Sequence, residues 1–416
     1  FQLSQMGDSI GDYEISFPLS SVALIFLAMV PLAFFISAVM ISVAVLARSF
    51  REAQTLLSPV LILMIFPAAM ASIPGTSLTA TTQLMPIANF ALLFKDLMTD
   101  HVSAVSIFAV LASTTVYALL ALALAARIFQ REEVVLSVES GSPVTLRRSM
   151  YRPRTLPTPG TSLFVLTLCL LLFFYLGTWM QANYGLVGVA LTQWTIFFAP
   201  PLLILWYVRV NIAAAFNLRA PSFALIVVAV MLGIGWAVIN LHLSVIQQRI
   251  FPFLEAMAEE LSKMLRLDDV HVLVLLAVLA LSPAICEELL FRGAVMSGLR
   301  KHLPVWALLI CVGIAFGAAH MSVHKMALTT LSGMVLTFVA LRSGSIFPGM
   351  IAHFIVNATS VLIDTKHMPA AVLSVTDKAL GEEKGFPIGI LAVAVAIFAT
   401  AIGYLEWSAR KRAVEK

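Results

Sequence analysis

Two adjacent acids, two imidazoles, a guanidinium and a carboxamide lie on three apolar stretches of this chain. The patterns are Glu287-Glu288-x-x-x-Arg292, Phe316-x-x-x-His320 and His353-x-x-x-Asn357. A charged side chain near the middle of a bilayer costs at least about 2.5–3.5 kcal/mol, so such groups persist where they face an interior cavity and have a partner or work there. Carboxylates and imidazoles take protons from water, and imidazole and carboxamide N–H groups hold a developing oxyanion. The set suits activation of water inside a membrane.

Helical spacing sorts the residues. Each pattern contains a pair four apart, which places two side chains on one helical face. Glu288 precedes Arg292, the favoured order of acid and base, so these two read as a structural ion pair. Glu287 sits about 100° around the helix and is the surplus carboxylate, the candidate base toward water. Two acids against one cation argue for function rather than for a packing salt bridge. Pro283 removes a backbone donor just ahead of the pair and predicts a kink or local opening there. Phe316, one turn before His320, is placed to pack on that imidazole and fix its rotamer. Glu287, His320 and His353 are also residue types that ligate zinc, although the chain has no H-E-x-x-H pattern. Metal-free and zinc-assisted readings therefore both stand, with the metal-free one favoured and no other cofactor called for. The chain carries neither a G-x-S-G nor a G-x-G-D motif. His101, His242, His271, His302, His324 and His367 mostly fall at the ends of apolar stretches and read as interfacial; His242, with Asn240, lies inside one. Cys169, Cys286 and Cys311 have unrelated spacings and form no CxxC pair.

The elements that must position these groups are membrane helices. The 416-residue chain is 60% hydrophobic and only 12% charged, with a mean hydropathy of +0.98. Soluble domains carry about twice that charge. The fold class is thus all-α and polytopic, with about eleven transmembrane helices. They are expected near 20–47, 58–74, 103–127, 162–180, 185–207, 222–245, 270–291, 304–320, 326–342, 346–363 and 387–407. Arginine and lysine crowd every second loop, which places the N-terminus outside and the C-terminus in the cytoplasm. The net charge of +4 then reflects topology, not nucleic-acid binding, and the basic run 147–154 reads as contact with anionic lipid. At about 1.5 Å per residue, His320 lies roughly 24 Å and His353 roughly 11 Å from the cytoplasmic starts of their spans, so tilted or bent helices must bring them together. No secretory signal is legible near Phe1, whose identity suggests that sequence precedes it.

A polar, proline-rich stretch at 129–160 separates three spans from eight and reads as a cytoplasmic linker. The combination E-E-x-x-x-R, F-x-x-x-H and H-x-x-x-N resembles the CPBP family of intramembrane proteases, which includes the type II CAAX prenyl endopeptidases and bacteriocin-processing proteins. The likeness covers about 160–410, with a protease domain expected at 161–410. It implies a peptidase in which Glu287 and His320 activate water, His353 and Asn357 stabilise the oxyanion, and Glu288 and Arg292, with Phe316, support the site. Residues 1–128, through the stretches Ala47–Gln54, Pro74-Gly75 and Met85–Phe90, resemble the C-terminal part of an ABC type-2, sodium-export-like permease. That likeness implies a separate ATPase partner, since the chain has no G-x-x-x-x-G-K-[ST] loop. It also implies an alternative function as the membrane subunit of a sodium or peptide exporter with an accessory protease-like domain. The expected partners are the lipid bilayer and a membrane-associated peptide or protein substrate. The expected location is a bacterial inner membrane, which argues against a prenylated substrate.

Overall fold

The computed structural model describes residues 19–45, 53–54, 57, 60–61, 64, 67–68, 78–79, 82–98, 102–129, 147–250, 270–320, 322–381 and 385–414. The chain divides between Gly141 and Ser142 into two compact units, and that boundary falls within the polar stretch 129–160.

In the first unit, α1 (Leu19–Ala44), α2 (Ala88–Met98) and α3 (Ala104–Phe129) share a small apolar core of Ala28, Leu93, Leu97 and Val110. Within that apolar setting Asn89 is fully buried, and an unpaired buried amide would be costly. Its Nδ2 donates to Ser113 Oγ at 3.0 Å and Thr114 Oγ1 at 2.9 Å, with the Gln83 carbonyl at 3.3 Å. The amide therefore pins α2 to α3. The expected span 58–74 lies outside the described residues apart from isolated positions.

The second unit holds the rest. The 49-residue α4 (Pro159–Tyr207) is long enough for two crossings, and it makes them by reversing at Gly185, whose φ of 54° and ψ of −127° break the helix. Glycine reaches positive φ at little steric cost. Beyond the reversal Thr192 donates back to the Gly177 carbonyl, and Phe173 meets Phe197 at 5.1 Å between ring centroids. Next come α5 (Phe223–Ile250), α6 (Val272–Leu299), α7 (Val305–Ala319), α8 (Val323–Ser343), α9 (Phe347–Asp364), α10 (Ala370–Gly381) and α11 (Ile388–Val414).

Eight helices among the described residues are long and apolar enough to cross a membrane, and α7 is a shorter apolar one. The molecule is an integral membrane protein. Counting α4 twice and α7 once accounts for every expected span except 58–74. At about 1.5 Å per residue, the 15 residues of α7 reach roughly 22 Å, short of the roughly 30 Å hydrocarbon core. His320 caps the C-terminal end of this short helix.

Hydrogen bonds between loops show which ends lie together. Arg154 and Val210 form a short parallel bridge, Arg300 Nη1 donates to Asn217 Oδ1 at 3.2 Å, Ser345 Oγ donates to the Arg219 carbonyl, and Arg412 donates to the Arg342 carbonyl. The loops that carry Arg154, Arg209, Arg219 and Arg300, with the helix ends at Arg342 and Arg412, thus lie together at one end of the bundle. The sides are packed by Leu225, Val228 and Leu232 of α5 against Leu336 and Val339 of α8, Ala352 of α9, and Ala401 and Leu405 of α11.

Candidate active site

The site is built around α6, whose geometry is irregular where it matters. Two wide-turn stretches, Leu276–Leu281 and Leu289–Val295, flank the regular turn Ser282–Glu288, which opens with Pro283 in its first positions. Wide turns pair each N–H with the carbonyl five residues back and occur mostly as local insertions, often at functional sites. The proline thus coincides with a loosening of the helix just before the two glutamates.

Glu288 is fully buried and Arg292 almost so; Glu288 Oε1 accepts from Arg292 Nη1 at 2.7 Å. Arg292 Nη2 donates to the Gly333 carbonyl at 2.9 Å, and the guanidinium carbon lies 4.6 Å from the centre of the Phe316 ring. The arginine is held by a carboxylate, a carbonyl of α8 and an aromatic face of α7, three groups from three helices. Gly313 and Gly317 allow α7 and α8 to meet this closely. A Cβ on Gly317 would stand 2.8 Å from the Met326 carbonyl oxygen, and one on Gly313 2.9 Å from that of Thr330. Small residues four apart let membrane helices approach in this way.

His353 of α9 enters from the other side. Its Nδ1 lies 3.1 Å from Glu288 Oε1 and its Nε2 3.9 Å from Glu287 Oε2. An ionised carboxylate only accepts, so Nδ1 carries the hydrogen and Nε2 is the edge presented to Glu287. Phe316 touches both imidazoles, tilted against the His320 ring at 4.9 Å and edge-on to that of His353 at 5.7 Å. His320 Nδ1 is 2.9 Å from the Phe316 carbonyl, which accepts its hydrogen and leaves Nε2 as the ring's acceptor nitrogen. The depth difference between the histidines is bridged by this one ring.

Two contacts add to the spacing-based picture. Glu287 Oε1 accepts from Gln193 Nε2 at 2.9 Å. His353, which shares a helical face with Asn357, also sits against both glutamates. Asn357 lies one turn beyond His353 on α9, half-buried, with no hydrogen bond among the described residues. His242 and Asn240 have structural work instead. His242 Nδ1 accepts from the Phe386 N–H at 3.1 Å, and Asn240 Nδ2 donates to Ser332 Oγ, which also receives Trp236 Nε1.

Gln193 was missed by sequence reading. It lies in the second arm of α4, 94 positions from its partner, in an apolar run where a single glutamine forms no pattern. Its neighbour Trp194 donates to Ser282 Oγ at 3.2 Å, which ties this arm to the glutamate turn. A buried glutamine inside a span, beside a tryptophan, was the available signal.

Among the described residues, three buried oxygens of this site have no protein hydrogen bond: Gln193 Oε1, Glu287 Oε2 and Glu288 Oε2. Such atoms are costly in a protein interior unless something polar meets them. Among the described residues no three His, Cys, Asp or Glu side chains converge closely enough to hold one metal ion, the set Glu287, His320 and His353 included.

Gly349 of α9 closes the site. A Cβ there would stand 2.9 Å from Glu288 Oε2, and Glu288 is clamped by Arg292 and His353. Gly349→Ala should therefore cost about 1–3 kcal/mol, the usual penalty for overpacking. The check is thermal unfolding of the purified protein in detergent; an unchanged midpoint would show that Glu288 moves freely.

Residues 269–359 match the family model described as Type II CAAX prenyl endopeptidase Rce1-like. The match spans α6 to α9 and so contains Glu287, Glu288, Arg292, Phe316, His320, His353 and Asn357. Peptidase chemistry is what this family's description names. No curated protein and no solved structure matches the chain. The match lies wholly within the second unit and does not bear on the first.

Proposed function

We propose that the protein is an intramembrane endopeptidase that hydrolyses a peptide bond of a membrane-associated substrate. The observation that carries this reading is the buried oxygen Glu287 Oε2, unpaired and 3.9 Å from His353 Nε2. A water between those atoms is within hydrogen-bond reach of both. Glu287 takes a proton from that water as its oxygen attacks the carbonyl carbon, and His320, with Nε2 as its acceptor nitrogen, orients it. The carbonyl oxygen becomes an oxyanion. Asn357 supplies N–H donors to it, and His353 supplies one at Nε2 when it carries its second proton. Glu287 then returns its proton to the departing amine, so the step conserves protons. Glu288 and Arg292 act on His353 by fixing its tautomer and its ring plane.

The test is mass-spectrometric mapping of protein termini in host membranes, comparing wild type with Glu287→Ala at matched expression. Termini present in the first and missing in the second would identify substrates directly. If no terminus differs, the peptidase reading fails. With a substrate in hand, Gln193→Leu should lower the cleavage rate about 10²-fold. It removes the only described donor to Glu287 Oε1, and a misplacement near 1 Å costs about that much. A purely structural glutamine would instead lower the unfolding midpoint and leave the rate per folded molecule unchanged.

A further inference from the structure

At the end of the second unit that carries Arg154, Arg209 and Arg300, the loop before α4 and the loop after it border a shallow, open depression of about 420 Å³. Arg148, Pro153, Arg154, Thr155, Trp206, Arg209 and Asn211 line it. The size lies within the usual range of small-ligand sites, about 300–1,000 Å³. Three of its lining residues are arginines, Arg148, Arg154 and Arg209, and no carboxylate among the described residues pairs with any of them. We propose that this depression binds a phosphate oxyanion presented at the membrane surface.

Its lining is built rather than accidental. The Arg154 N–H donates to the Arg209 carbonyl at 3.1 Å and the Asn211 N–H to the Arg154 carbonyl at 2.8 Å, which clips the two loops together. Arg209 adopts a φ of +59°, the left-handed region that costs a non-glycine residue roughly 1–2 kcal/mol. Its guanidinium donates to the Tyr151 carbonyl at 3.3 Å. The Arg148 guanidinium lies 4.4 Å from the centre of the Trp206 ring, and its Nε donates to the Trp206 carbonyl at 3.4 Å. Two of the three cations are thus held in place by backbone carbonyls. The third, Arg154, is exposed and its guanidinium bonds to nothing described. Holding like charges around one space is unfavourable unless an anion joins them.

The chemistry of the lining selects the ligand. Guanidinium forks match the oxygens of phosphate bidentately. Trp206 is about half exposed, and tryptophan concentrates at headgroup level. The depression lies just outside α4, where a lipid headgroup would reach it. A phosphodiester of an anionic lipid and a soluble phosphate share this recognition chemistry.

The experiment uses the full chain in neutral detergent. Native mass spectrometry follows binding of phosphatidylglycerol against phosphatidylcholine, and thermal shift follows inorganic phosphate. Arg154→Gln removes a side chain that braces nothing, so its fold is secure; Arg148→Gln/Arg154→Gln extends the test. A basic residue near an anionic surface contributes about 1 kcal/mol. Arg154→Gln should therefore weaken binding about fivefold and the double variant about 25-fold if the two add. Loss of phosphatidylglycerol binding supports the site with lipid as its source. Loss confined to inorganic phosphate supports it with a soluble ligand. No change in either arm in both variants overturns it, as does equal binding of phosphatidylcholine and phosphatidylglycerol together with an inorganic-phosphate response that neither variant alters. None of these readouts depends on peptidase activity.

Discussion

Glu287→Gln should lower the cleavage rate by about 10²–10⁴-fold, the usual contribution of a general base, while leaving the protein folded. The substitution is nearly isosteric. It keeps an oxygen able to accept from Gln193 Nε2, now 2.9 Å from Glu287 Oε1, and puts an amide where the unpaired Oε2 stands. An amide nitrogen donates and cannot take a proton from water. It can still hydrogen-bond to a neighbouring acceptor, such as the lone pair of His353 Nε2. The unfolding midpoint should therefore move little. Cleavage of a substrate found by terminus mapping, measured per folded molecule, decides the matter. A variant within about fivefold of wild type would remove Glu287 from the chemistry. His320→Ala should be slower as well, but the loss of an aromatic contact with Phe316 would lower its stability too, so it discriminates less well.

The parts of this site legible in the sequence are those whose partners share a helix. Glu288 and Arg292 are four apart and both buried in an apolar segment, so helix geometry alone pairs them. Phe316 meets His320 for the same reason. Contacts between helices were not legible. His353 and Glu288 are 65 positions apart, and nothing in either span says that they face one another. Gln193 reaches Glu287 only because α4 doubles back at Gly185 and its second arm packs on the glutamate turn. In the fold, apolar length located the spans, including α7, since burying backbone in lipid requires continuous helix. Hydropathy could not show that Asn89 is the hub of its unit, because one amide in an apolar run leaves the window average unchanged. What it bonds to depends on how α2 and α3 meet.

Arg292→Ala should destabilise the second unit by about 3–5 kcal/mol, the cost of stranding a buried charge by removing its partner. Glu288 would lose its 2.7 Å bond, the Gly333 carbonyl its donor, and Phe316 the cation against its face. Thermal unfolding in detergent reads the loss, and the variant should also be inactive because it is poorly folded. Stability and activity can be separated by a second variant. Glu288→Gln/Arg292→Met removes both charges, fills the volume of the arginine stem, and keeps an oxygen for His353 Nδ1. Replacing a buried ion pair with groups of similar shape is often nearly neutral, so this protein should recover most of the lost stability. If Glu288 acts on His353 only by accepting its hydrogen, cleavage should recover too. If the carboxylate charge itself is needed beside His353, the double variant will fold and remain slow. A double variant as unstable as Arg292→Ala would show instead that the guanidinium contacts to α7 and α8, rather than the charge of Glu288, hold these helices together.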